Sequence, residues 1–144
     1  MSSKNYMHII GGGLAGCEAA YQISKFGIKT FLYEMRPKVK TEVHKTNLLA
    51  ELVCSNSFRS DDKIYNAVGV LHEELRLSDS LIMRAADNTK IPAGSALAVD
   101  RERFSKYIDQ EIKKNPFIEV INKEITSIID FKDQQVIIAT GPLT

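Results

Sequence analysis

An α/β fold with a parallel sheet is predicted from three features of this sequence. A short apolar, β-rich run at 6–10 (YMHII) leads directly into Gly11, Gly12 and Gly13. A helix-like stretch at 14–26 (LAGCEAAYQISKF) then stops at Gly27, and a second β-rich run at 28–33 (IKTFLY) ends at Glu34. A third apolar run at 135–140 (QVIIAT) closes the chain. Strand, glycine turn, helix and strand form a βαβ unit, whose strands are parallel and whose crossover is right-handed. This is the opening of a Rossmann-like sheet.

Each element has a local reason. In the first helix Ala15, Ala19, Gln22, Ile23 and Phe26 recur near helical spacing, and Gly27 is placed to stop it. Arg36-Pro37 ends the second strand. Residues 36–45 carry Arg36, Lys38, Lys40 and Lys45 against Glu42 and read as a mobile basic loop, more in keeping with a solvated surface than with an RNA contact. The stretch 47–60 begins helix-like and ends in small polar residues. A helix is expected at 64–77, with Val68, Leu71 and Leu75 on one face. Residues 80–86 are apolar but ambiguous, and 89–95 read as a turn between short strands. Asp100 is placed to cap a helix over 101–114, with Phe104, Tyr107, Ile108 and Ile112 facing inward. Strands are expected at 117–122, 124–129 and 135–140.

Composition bounds the function. The 144 residues suit one domain, 1–144, and 44% hydrophobic with 26% charged residues is globular. A net charge of +1 excludes a general polyelectrolyte binder, so any nucleic acid must meet a local patch. The two cysteines, Cys17 and Cys54, cannot build a disulfide framework, and His8, His44 and His72 lack metal-ligand spacing, so no metal is expected. No apolar run reaches the ~20 residues that span a bilayer, so no membrane role is expected. Leu14-Ala15-Gly16-Cys17 resembles a lipoprotein cleavage box, but the apolar stretch before it is too short for a secretory signal, and the segment reads as folded cytoplasmic protein. The chain stops just past a buried strand, as expected of an incomplete N-terminal portion of a longer protein.

The chemistry lies in the glycine turn. Gly11, Gly13 and Gly16 make G-x-G-x-x-G between strand and helix, for a tight turn, close approach of a pyrophosphate, and helix–strand packing respectively. The helix start offers N–H groups and partial positive charge to phosphates. Glu34 lies 18 residues beyond Gly16, close to the spacing of the acid that binds a ribose hydroxyl. An acid there disfavours a 2′-phosphate and hence NADP, although Arg36 nearby tempers that argument. The closing strand with Ala139-Thr140-Gly141 resembles the ATG strand of flavoproteins, which favours FAD over NAD. The expected cofactor-binding residues are Gly11, Gly12, Gly13, Leu14, Ala15, Gly16, Glu34, Ser55, Asn56, Ser57, Thr140 and Gly141. Ser55, Asn56 and Ser57 equally suit a helix cap or a turn.

Beyond the fingerprint, the chain resembles the folate- and FAD-dependent tRNA (uracil-5-)-methyltransferase family, TrmFO or small Gid. The segments are GGGLAGCEAA (11–20), YEMRP (33–37), AELVCSNSFRS (50–60), NAVGVLHEEL (66–75), DSLIMRAAD (79–87), IPAGSALAVDRERFS (91–105) and IIATGPLT (137–144). They cover nearly all of this chain but only the N-terminal part of the longer family members. The resemblance implies a Rossmann-like FAD-binding fold and methylation of uridine C5 in the T-loop of tRNA. Methylenetetrahydrofolate (5,10-methylenetetrahydrofolate) would supply the carbon, and NADH or NADPH would reduce the flavin. It also implies that Cys54 is catalytic, as a thiol acting on the uracil or as a base. Thiolate addition at C6 makes C5 nucleophilic, and the C5 proton must later leave. Such a thiol needs a cationic neighbour, and Arg59 is five residues on. On packing grounds alone Cys54 also reads as a small buried hydrophobe, as does Cys17. Other readings are ribosomal RNA as acceptor, an inactive FAD-binding fragment, and a wobble-uridine-modifying Gid-type protein; ELVCSNS and DSLIMRAAD argue against the last.

Overall fold

The structure, a computed structural model, describes residues 6–141. Its main sheet has the order β6-β2-β1-β7, formed by β1 (Tyr6–Ile10), β2 (Lys29–Glu34), β6 (Ile118–Asn122) and β7 (Val136–Ile138). All pairings are parallel: Ile9 faces Leu32 in β2 and Ile137 in β7, and Leu32 faces Val120 in β6. α1 (Leu14–Ser24) makes the crossover from β1 to β2. The predicted α/β fold with a parallel, Rossmann-like sheet is therefore present.

The chain between β2 and β6 forms a smaller antiparallel sheet, order β3-β5-β4, of β3 (Ser57–Ser60), β4 (Lys90–Ile91) and β5 (Ala96–Val99). Around it sit α2 (Ala67–Leu77), α3 (Leu81–Asn88) and α4 (Arg101–Lys114). The core lies on one face of the main sheet. There Ile9, Leu32 and Ile118 meet Cys17 and Ala20 of α1 and Phe104, Ile108 and Ile112 of α4, all buried. On the opposite face His8 stacks on Phe31 and Tyr33, and Phe131 packs edge-on against His8 and Tyr33.

The caps explain three helix starts. The side chains of Asn66, Ser80 and Asp100 accept from Val68, Met83 and Arg103 N–H groups and open α2, α3 and α4. Glu18 of α1 also accepts from the Ser80 hydroxyl at 2.8 Å and the Ile82 N–H at 2.9 Å, which ties α1 to the start of α3.

Several expectations change. The stretch 47–56 holds no helix; its chain runs irregularly into β3. The ambiguous 80–86 run is α3, whose cap the apolar count did not reveal. The strand expected at 124–129 is irregular chain ending in one 3-10 turn, Ile129–Phe131, and β7 is only Val136–Ile138. Phe26 lies beyond α1 and is 80% exposed, because the helix ends at Ser24. On α2 the packed side is Gly69 and His72, while Leu71 and Leu75 face outward. Polar pairing decides that orientation: the Asp61 carboxylate lies 2.9 Å from His72 Nδ1 and accepts from Arg76 at 2.9 Å. Gly69 sits so close to Asp62 that a Cβ would lie 2.1 Å from its carbonyl oxygen.

Phe104→Ala should therefore cost about 3–5 kcal/mol, as expected for emptying a buried aromatic site. Phe26→Ala should stay within about 0.5 kcal/mol. Urea unfolding of both variants checks the contrast; equal losses would contradict the placement of the core.

Candidate cofactor site

The turn after β1 is built by close approach. Gly11 has φ +108°, donates its N–H to the Tyr33 carbonyl at 2.9 Å, and has no room for a side chain, since a Cβ would lie 2.4 Å from the Ala139 carbonyl oxygen. At Gly16 a Cβ would lie 1.9 Å from the Gly11 carbonyl oxygen, so the helix packs directly on the turn. Gly13 is the opposite case: a Cβ there would meet nothing within 4 Å. The middle glycine of the fingerprint thus faces open space.

That space lies at the start of α1. Gly13 is the N-cap residue and supplies no side-chain cap, unlike the first residues before α2, α3 and α4. The first turn, Leu14, Ala15 and Gly16, begins with N–H groups that no helical carbonyl can satisfy, at the positive end of the helix dipole. Open space at an uncapped helix start has the donor chemistry for an anionic group such as a pyrophosphate.

Glu34 ends β2 beside the turn and is 6% exposed. Its Oε2 accepts from the Gly12 N–H at 3.1 Å and from Arg36 Nη2 at 3.1 Å. Its Oε1 accepts from the Arg36 N–H at 3.0 Å and from Arg36 Nε at 2.8 Å. Arg36 is therefore no part of a solvated basic loop. It is 2% exposed and donates its third arm, Nη1, to Glu51 Oε2 at 3.0 Å. Glu51 in turn accepts from the backbone N–H groups of Lys45 and Thr46. The loop after β2 is thus pinned at its base and at its end, leaving Lys38, Lys40 and Lys45 exposed. Burial alone would raise the Glu34 carboxyl, but Arg36 and the Gly12 N–H outweigh it and hold it below the usual carboxylate range. Burial likewise acts upward on Glu51, while the Lys45 and Thr46 N–H groups, the Thr46 hydroxyl and Arg36 bring it down.

The segment that follows reaches the turn. Ala50, buried at φ +51°, donates its N–H to the Gly12 carbonyl at 2.9 Å, and its own carbonyl accepts from Ser105 Oγ at 3.1 Å. Cys54 lies four residues further, so at most ~14 Å of extended chain separates it from the turn. It is exposed, not a buried hydrophobe. The cation that contacts residue 54 is Arg101, whose Nη2 donates to the Cys54 carbonyl at 3.3 Å. Arg59, the cation expected there, sits at φ +70° on β3 and is exposed. The three polar residues after Cys54 shape the chain. Ser55 Oγ accepts from Ser57 N, Ser57 Oγ from Arg59 N, and Asn56 Nδ2 donates to the Val99 carbonyl at 3.0 Å. Cys17 is fully buried, its Sγ donating to the Gly12 carbonyl at 3.4 Å. Burial, with Glu34 and Asp109 nearby, pushes this thiol well above its ordinary value, so it serves packing.

The closing strand also borders the turn. Ala139 donates its N–H to the Ile10 carbonyl at 2.8 Å, Thr140 lies against Gly11, and Gly141 adopts φ +78°. One place thus gathers Gly11 to Gly16, Glu34 and the chain around Thr140, from three separate parts of the sequence. Sequence reasoning missed Glu51, Ala50 and Arg101. All three lie within the family segments at 50–60 and 91–105, but their contacts with the turn and with residue 54 join distant parts of the chain and are visible only after folding.

Residues 6–144 match the family described as glucose inhibited division protein A. The chain belongs to this family. It is 60% identical over 138 residues to the methylenetetrahydrofolate–tRNA-(uracil-5-)-methyltransferase TrmFO of Bartonella henselae, an alignment covering 96% of this chain and 29% of that protein. The protein of the same name from Mesorhizobium japonicum is 55% identical over 142 residues, covering 99% of this chain and 30% of its own length. The chain thus spans about 30% of the length of these curated relatives. Among solved structures, Aquifex aeolicus GidA superposes with a TM-score of 0.63 at 17% identity, over 85% of this chain and 20% of that one. At that identity the family's fold is what is shared.

The two depressed carboxylates set an acid limit on stability. A carboxyl whose pKa is lower folded than unfolded contributes stability above the unfolded value, and that contribution is lost as pH falls through the folded one. Thermal midpoints should therefore drop as pH goes below the ordinary carboxylate range. Glu34→Gln should be less stable at pH 7 and show a shallower acid decline; parallel pH profiles for the two proteins would refute the assignment.

Proposed function

We propose that residues 1–144 are the N-terminal portion of an FAD-binding domain. The observation that carries this reading is the void beside Gly13 at the uncapped start of α1, flanked by the Glu34 carboxylate. In this arrangement Gly11, Gly12, Gly13, Leu14, Ala15 and Gly16 surround the pyrophosphate, and Glu34 addresses the adenosine ribose. Thr140 and Gly141 run beside the dinucleotide, and the Ser55, Asn56 and Ser57 turn carries Cys54 toward it. FAD, when bound and reduced by NADH or NADPH, supplies the electrons that turn a methylene group into a methyl group.

The names of the relatives support the rest of the proposal, methylation of uracil C5 in tRNA with methylenetetrahydrofolate as the carbon donor; the family resemblance adds the T-loop uridine as the acceptor and 5,10-methylenetetrahydrofolate as the form of the donor. A cytoplasmic location goes with that proposed acceptor. Among the described residues no helix is long and apolar enough to cross a membrane. Cys54 is the catalytic residue of this reading. Its exposure lets the thiol meet a base presented from solvent, either adding to C6 of the uracil or taking the C5 proton.

The full-length protein, incubated with T-loop RNA, labelled methylenetetrahydrofolate and a reductant, should place label in 5-methyluridine. FAD bound without label would discard the methyltransferase reading. Cys54→Ala should lower methylation by about 10²-fold or more while the flavin spectrum persists; undiminished turnover would remove Cys54 from the mechanism. Gly13 has φ −76°, open to any residue, so Gly13→Val should fold normally yet weaken flavin binding, as measured by fluorescence titration. Unchanged affinity would place the dinucleotide elsewhere.

A further inference from the structure

The acid at the end of β2 does not stand alone, and its partners bear on which ribose it can take. Three side chains form a buried row: Glu34, Arg36 and Glu51, with side chains 7%, 2% and 11% exposed. The guanidinium lies between the two carboxylates, two arms on Glu34 and one on Glu51. Two negative charges against one positive leave the row with a single net negative charge. Glu51 is held in place by the Lys45 and Thr46 N–H groups, and the residue before it, Ala50, is bonded to Gly12.

Resting on the dinucleotide reading above, we propose that Arg36 and Glu51 are a positioning pair that sets nucleotide specificity at this site. Glu51 commits the guanidinium to the two carboxylates, so that the site accepts an adenosine ribose with a free 2′-hydroxyl and rejects a 2′-phosphate. An arginine near such an acid is the usual means of accommodating a 2′-phosphate. Here every arm of that arginine is taken. A phosphate would meet a net negative row in a poorly hydrated place, where like charges interact strongly. A hydroxyl needs only one acceptor position, which Glu34 Oε2 can share beside its 3.1 Å bonds from the Gly12 N–H and Nη2, so that Arg36 keeps all three arms on the two carboxylates.

The test compares ADP-ribose with 2′-phospho-ADP-ribose as ligands of the flavin-stripped full-length protein, by titration calorimetry. The native protein should bind ADP-ribose and discriminate strongly against its 2′-phospho form. Glu51→Gln keeps an acceptor for Lys45 and Thr46 but removes the charge that restrains Arg36. It should narrow the ratio of the two affinities by about tenfold or more, the worth of one charge-assisted hydrogen bond. Glu42→Gln makes the same change in net charge on the exposed loop and should leave the ratio unaltered. Glu51→Asp, whose shorter side chain draws the carboxylate back from Arg36, should narrow the ratio in the same direction and serves if the Gln variant does not fold. Native binding of ADP-ribose with an unchanged ratio in the Glu51 variants would overturn the pair's role. Failure of the native protein to bind ADP-ribose or FAD at all would overturn the cofactor reading and this inference with it.

Discussion

The buried contact between the Glu34 carboxylate and the Arg36 guanidinium is the constraint around which the site is arranged. Ionised groups at that depth lose hydration worth several kcal/mol each and persist only when their hydrogen-bonding capacity is met. Glu34 meets it with four donors, two of them backbone N–H groups. One of those belongs to Gly12, so the end of β2 and the turn after β1 cannot shift independently. Another is the N–H of Arg36 itself, which bends the chain back on β2 as it leaves the sheet. Glu51 completes the set from 15 residues away and brings the start of the Cys54 segment to the same point.

Packing at the glycine turn leaves equally little freedom. Gly16 against the Gly11 carbonyl, and Gly11 against the Ala139 carbonyl, bring helix, turn and closing strand together at backbone distance. A parallel strand pair cannot be joined locally, so β7 lies beside β1 only by way of a long crossover through the intervening chain. The first β–α–β unit therefore presents the helix start, but the surroundings of that start depend on residues near the far end of the chain. Gly13 alone among the three fingerprint glycines is left facing space, so within one motif two glycines are required by packing and the third is not.

Ala50 marks where the Cys54 segment is fitted to the turn. A non-glycine residue in the left-handed region costs on the order of 1–3 kcal/mol and is kept where its surroundings over-determine it. Here both of its peptide groups are used, one on Gly12 and one on Ser105 of α4. The chain leaves that point exposed at Cys54 and returns to the small sheet through Asn56, which exchanges bonds with Val99.

Much of this was legible in the residues. The βαβ opening, the glycine fingerprint, Glu34 at the end of β2, and the Asp100-capped helix follow from local rules of periodicity, capping and turn chemistry, which operate within a few residues. The family segments, from GGGLAGCEAA to IIATGPLT, were likewise open to reading one by one. Other features were decided by folding. α2 turns Gly69 and His72 inward because Asp61 and Asp62 lie there, though apolar spacing alone favoured Leu71 and Leu75. The segment 124–129 has the composition of a strand but pairs with no strand among the described residues, although β6 just before it lies at the edge of the main sheet. Arg36 looked like one of four cations in a surface loop, and only Glu34 and Glu51 converging on it made it a buried ion. Local sequence states what a segment can form; charge burial and shared backbone contacts, which join residues far apart in the chain, determine which of those options is taken.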